Sequence, residues 1–143
     1  MKSSLFAIAW MLLSCIYSFA EDYSNLTNAE SPGDTLVVLW TSGDRDVAEK
    51  VALMYTHAAA VNHWFAHVIL IVWGPSANLL AGNSELQDKI AAMIDSGIQV
   101  QACVVCADSY GVSDKLRETG IEVIGMGRPL TNYLKKGYRQ LNF

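Results

Sequence analysis

A chain of 143 residues with ten Lys or Arg against 14 Asp or Glu has a formal charge of −4. It lacks the clustered basic excess by which proteins hold nucleic acid or anionic membrane surfaces. Its length and a hydrophobic content of 52% suit one compact domain with a real core. Small molecules and other proteins therefore remain as partners.

The first 20 residues combine a lone Lys2, an apolar run from Leu5 to Ile16, and Ser18-Phe19-Ala20 before Glu21. That order is the one signal peptidase reads, so residues 1–20 are expected to be a secretory signal cleaved after Ala20. The run is shorter than the roughly 20 apolar residues that cross a bilayer, and no second run of that kind follows. The mature chain is thus expected to be periplasmic or secreted, with no transmembrane segment. Leu12-Leu13-Ser14-Cys15 gives an alternative, a lipoprotein box with Cys15 as the lipidated first residue. Without residues 1–20 the chain has nine basic and 14 acidic residues and two cysteines. Two are too few for a disulfide scaffold, although export would make their redox state matter.

Residues 21–34 are polar, contain Ser31-Pro32-Gly33 and show no periodicity, which predicts a flexible lead-in to a domain spanning 35–143. Within that domain a short apolar, β-branched run, a loop with Gly or Ser, and a helical pattern recur four times. The runs are 36–40, 68–73, 98–103 and 121–124. After the first, Val47, Val51, Met54, Ala58 and Val61 recur at steps of three or four and predict the buried stripe of a long helix. The second helix is expected to open with the capping box Ser84-Glu85-Leu86-Gln87 and to stop at Gly97. The third holds Val112 and Leu116 and ends at Gly120; the fourth covers 130–136 and ends at Gly137; residues 138–143 are an expected edge strand.

Alternation of this kind predicts an α/β fold: a small, open, mostly parallel sheet of four to five strands with helices on both faces, a flavodoxin-like three-layer sandwich. Ligands of such sheets bind outside the carboxyl ends of the strands. The loops expected there carry Ser42 and Asp44, Gly74 and Ser76, the segment 103–108, and Arg128. Ser42 and Asp44 read as a helix cap whose amides can also hold an anion. Gly74 allows close approach to the backbone, Ser76 offers a hydroxyl, and Arg128 is the one cation expected at this rim. These five are the candidate pocket residues. Trp40 and Trp73 end two of the strands and read as core or as pocket wall.

The segment Cys103-Val104-Val105-Cys106 carries the chemistry. On a straight strand its two α-carbons would lie ~10 Å apart and the thiols on opposite faces, too far for a disulfide, which needs about 7 Å or less. Pairing therefore requires the chain to turn between them, as it does where a strand hands over to a helix. Helix-start amides there would also favour thiolate, the reactive form. A reactive pair, a passive disulfide and two small buried side chains all stay open on spacing alone. His63 and His67 superficially complete a Cys2His2 zinc set, but both are expected at the opposite end of the sheet, so no metal site is assigned. GxGxxG, P-loop and GxSxG signatures are absent from the sequence, and no cofactor is expected.

LWTSGD (39–44), IVWGPS (71–76), GIQVQACVVCADSYGV (97–112) and GIEVIGMGRPLTNYL (120–134) together resemble the DsrE/DsrF/YchN-like family over residues 36–143. The resemblance implies a small parallel α/β sheet and a homo-oligomer, a trimer or hexamer. Several such proteins relay sulfur as a persulfide on a cysteine just after the third strand. Cys103 stands in that place, ahead of Gly111-Val112, and Cys106 matches a second cysteine of some members. Both are implied catalytic residues. The partners implied are sulfur donor and acceptor proteins or small sulfane-sulfur species, with the chain acting as a sulfurtransferase-like carrier. The arginine that relay members often place before that Gly is Tyr110 here, and export would remove tRNA thiolation from its tasks. The alternative reading is a non-catalytic small-ligand or protein-interaction module whose CVVC is a structural disulfide.

Overall fold

The computed structural model describes residues 32–143; the expected signal, the lipoprotein box and most of the lead-in fall outside them. Five apolar segments extend as strands: β1 (Thr35–Trp40), β2 (His67–Val72), β3 (Gln99–Cys103), β4 (Glu122–Ile124) and β5 (Arg139–Asn142). They form one sheet in the order β4-β3-β2-β1-β5, and every pairing is parallel. The expected α/β sheet is therefore present, and the edge strand expected in 138–143 is its fifth member.

The helices are α1 (Arg45–Val47, Ala48–Ala52 and Leu53–Val61, running continuously), α2 (Pro75–Ala81), α3 (Ser84–Asp95), α4 (Val104–Ser109), α5 (Ser113–Glu118) and α6 (Gly127–Lys135). Their distribution follows from the strand order. From β1 to β4 each parallel crossover steps the same way across the sheet, and right-handed crossovers in one direction leave their helices on one face. Only the connection from β4 back to β5 steps the other way, so α6 lies on the second face. The first face accordingly buries Leu36, Val38, Trp40, Leu70 and Val72 beneath side chains such as Ala52, Leu80, Ile90 and Leu116. The second carries a smaller cluster of Val37, Ile69, Ile71, Cys103 and Met126, with Leu130 and Tyr133 of α6 packed against it.

Local chemistry sets the helix ends. The Asp44 carboxylate accepts from the Val47 amide at 2.9 Å and caps α1. Asn83, one position before the expected capping box, accepts from the Leu86 amide at 3.0 Å and starts α3. Gln87, expected to complete that box, instead donates to the Leu80 and Ala81 carbonyls at 2.9 Å and closes the end of α2. Gly97, at φ 90°, supplies the left-handed turn that ends α3: the Ile98 amide reaches back to the Met93 carbonyl.

Helix α1 departs from the expected pattern. Its buried residues are Ala48, Ala52, Leu53, Thr56 and Ala59, whereas Val51, Met54 and Val61 of the expected stripe are exposed. The middle segment, Ala48–Ala52, is π-helical, and the Leu53 amide reaches the Ala48 carbonyl five residues back. The wider turn shifts the phase of the helix. Small residues then face the sheet and allow close approach, while the bulky ones turn outward.

Candidate functional site

Cys103 ends β3 and is at the same time the N-cap of α4, with φ −71° and ψ 111°. The chain turns at this residue, and Cys106, in the first turn of α4, swings back until its thiol hydrogen-bonds the Cys103 side chain. The two sulfurs are not bonded to each other; Cys103 is buried and Cys106 half-buried. Cys103 faces the second side of the sheet, paired in register with Ile124 of β4, and shares an apolar cluster with Ile71, Met126, Trp73 and Cys106. Burial pushes the Cys106 thiol above its ordinary value, and its hydrogen bond with Cys103 adds to the rise. The Gly74 backbone amide opposes this by hydrogen-bonding the Cys106 sulfur. At neutral pH Cys106 is thus a thiol beside Cys103, able to give a hydrogen bond to a negative sulfur there.

The neighbouring loops are drawn to the same edge. The Trp73 amide donates to the Trp40 carbonyl at 3.0 Å. A Cβ on Gly43 would stand only 3.1 Å from Pro75 Cβ, so the loops after β1 and β2 touch. Gly74 adopts φ 69° and ψ −134°, which only glycine holds without strain. Nothing lies within 4 Å of a Cβ built there, so Gly74→Ala would act through the backbone alone. It is expected to cost about 1–3 kcal/mol of stability, read as a lower urea midpoint, and to slow Cys106 alkylation as the amide turns away. Unchanged values of both would refute the role given to this glycine.

The other candidate pocket residues divide. Ser76 is buried, and its hydroxyl donates to the Trp40 carbonyl at 2.6 Å while accepting from the Trp73 amide at 3.0 Å. It staples two strand ends together and shapes the site through them. Ser42 accepts from the Asp44 amide at 3.1 Å, and Asp44 is occupied as the α1 cap. Arg128 is exposed in the first turn of α6, two residues from the buried Met126 that packs with Cys103. Trp40 is core; Trp73 packs in the cluster that holds Cys106. His67 pairs with Thr35 at the amino edge of the sheet, away from the thiols. No group of three His, Cys, Asp or Glu among the described residues is placed to hold a metal.

A polar chain on the second face, centred on the buried Gln101, was not foreseen from the sequence. Gln101, two residues before Cys103 on the same side of β3, donates to Glu122 at 2.6 Å and accepts from the Tyr133 hydroxyl at 3.0 Å. It ties α6 to the sheet beneath the thiols. The signal available was a glutamine inside an otherwise apolar strand, since a buried amide needs partners.

These features define a parallel α/β protein with a paired-thiol centre at the carboxyl edge of its sheet. The chain belongs to the DsrE/DsrF-like family, whose profile matches residues 35–143. It is similar to BT1422 from Bacteroides thetaiotaomicron, described as a conserved protein of unknown function: identity is 37% and the TM-score 0.77, over 81% of this chain and 100% of that one. The ychN protein from E. coli shares the fold, with a TM-score of 0.60 at 15% identity over 78% of this chain and 99% of that one. No curated protein matches the chain. No helix among the described residues is long and apolar enough to cross a membrane.

Proposed function

We propose that the chain is an exported carrier of sulfane sulfur that uses Cys103 as the loading thiol and Cys106 as the releasing one. The observation that supports this is the contact between the two thiols at the turn from β3 into α4, with the Gly74 amide on Cys106. In loading, the Cys103 thiolate attacks the terminal sulfur of a polysulfide or donor persulfide; the donor's S–S bond breaks, its shortened thiolate leaves, and Cys103 becomes a persulfide. Unloading takes one of two courses. An acceptor thiolate can attack the outer sulfur and return Cys103 to thiolate. Alternatively, Cys106 can attack the inner sulfur, so that hydrosulfide leaves and the two cysteines are oxidised to a disulfide, which an external dithiol must reduce before the next cycle.

Intact mass of the protein from its native compartment, taken before and after polysulfide treatment, tests the reading. One added sulfur, removed by reductant and mapped to Cys103, is the expected result, on a chain beginning at Glu21. A mass short by two hydrogens and unchanged by polysulfide would instead favour a static disulfide in a binding module. A lipidated start at Cys15 would replace the soluble form with a tethered one.

A further inference from the structure

Cys103, the loading thiol of the reading above, is only 4% exposed, so a donor reaches its sulfur only when something moves. The helix over its side of the sheet is α6: Met126, at the start of that helix, and Leu130 and Tyr133 within it share the apolar cluster of Cys103. This helix is held loosely. None of the nine residues Gly127–Lys135 is fully buried, whereas α3 on the first face buries Leu86, Ile90 and Met93. Local opening begins where buried apolar contact is least. Glycines stand at both joints of the helix: Gly125 and Gly127 bracket Met126 with open space where a Cβ would lie, and Gly137 makes the turn toward β5 at φ 76°. Joints of this kind absorb the backbone rotation by which a short element swings.

A polar catch holds α6 to the sheet. The Tyr133 hydroxyl donates to Gln101 Oε1 at 3.0 Å. Gln101 is itself buried, and its Nε2 donates to Glu122 of β4 at 2.6 Å, which fixes the amide with its oxygen toward α6. Tyr138 braces the tyrosine from the side, stacked with ring centroids 5.7 Å apart. Gln101 precedes Cys103 by two residues on the same side of β3, so the catch sits ~7 Å along the strand from the thiol. An apolar residue at position 101 would bind α6 by burial alone. A hydrogen bond instead exchanges for water at little net cost when the helix lifts, and re-forms in one geometry when it returns. We propose that α6 is a gate over Cys103, latched by the chain from Tyr133 through Gln101 to Glu122. Gln101 and Tyr133 are then positioning residues that control access to the sulfur, with β5 remaining paired as the helix lifts. The gate takes its purpose from the carrier reading, but its motion is independent of it.

The test is the alkylation rate of each thiol alone, Cys103 in Cys106→Ser and Cys106 in Cys103→Ser, at one pH and with a phosphine reductant present. Cys103 alkylation should depend on urea with a slope well below that of global unfolding, the mark of a local opening. Tyr133→Phe removes the hydroxyl while keeping the stack on Tyr138. It should speed Cys103 by roughly two- to tenfold, the worth of one hydrogen bond, and leave Cys106 unchanged. Glu122→Ala should act in the same direction, and Glu122→Gln, which keeps an acceptor for the Gln101 amide, should restore the parent rate. A urea slope equal to that of global unfolding, no acceleration by Tyr133→Phe, or equal acceleration of both thiols would each overturn the gate. Polysulfide loading of Cys103 should rise in step with its alkylation. Faster alkylation in a chain that takes up no sulfur would support the gate and overturn the carrier reading instead.

Discussion

Cys103→Ser is expected to reduce sulfur loading from polysulfide to background, whereas Cys106→Ser should load as fully as the parent and release its sulfur far more slowly. The asymmetry follows from position. Cys103 ends the strand with its thiol hydrogen-bonded to Cys106, and that neighbour is the internal nucleophile that can discharge a persulfide. Mass spectrometry over time after donor removal distinguishes the two variants; equal loading of both would reverse or remove the assigned roles. The pH dependence carries a sign as well. Because burial raises Cys106 above its ordinary value, its alkylation should climb only above the usual thiol range near pH 8.5. In stability the contribution is fully present below that range and is lost as pH rises through the folded value, since the unfolded chain surrenders the proton first.

Trp40→Ala should produce the largest loss of stability of any single change in the described domain, about 3–5 kcal/mol, a large share of the 5–15 kcal/mol typical of a domain. Trp40 is among the largest fully buried side chains, ending the strand that pairs with both β2 and β5. Trp40→Phe should cost much less than its lost volume suggests. The indole Nε1 is buried without a partner among the described residues, and removing an unpaired donor recovers part of the loss. Urea midpoints at constant slope measure both. A cost below about 1 kcal/mol for Trp40→Ala would be too small for cavity formation in a packed core and would refute the central place given to this side chain.

The strands were legible because a parallel sheet covered on both faces demands continuous apolar runs, and each of the four main runs falls within a residue or so of its observed bounds. The buried face of α1 was not legible. Periodicity weights bulky side chains, so Val51, Met54 and Val61 outweighed the alanines that touch the sheet, and nothing in the sequence marks the π turn that shifts the phase. Helix α2 was hidden because the stretch with Gly74 and Ser76 was expected to be a loop, whereas Pro75 sits in the first turn of a helix, where its missing amide does no harm. At the candidate site the positions of Cys103 and Cys106 were readable from spacing. The contact of Gly74 with Cys106 was not, because it joins loops after different strands and depends on their register.

The strand order also bears on how the molecule comes together in time. Strands β1 to β4 join neighbours a few tens of residues away, but β5 closes on β1 across the whole domain, as in the bond from Thr41 to the Phe143 carbonyl, 102 positions apart. Contacts of such long range form late, because the loop they close carries the greatest entropy loss. Helix α6 directly precedes β5 in the chain, so the closure of β5 on β1 and the covering of the second face by Met126 and the α6 side chains are linked. Pulsed alkylation during refolding is expected to find Cys103 shielded only after the first-face helices are protected; simultaneous protection of both would refute that order.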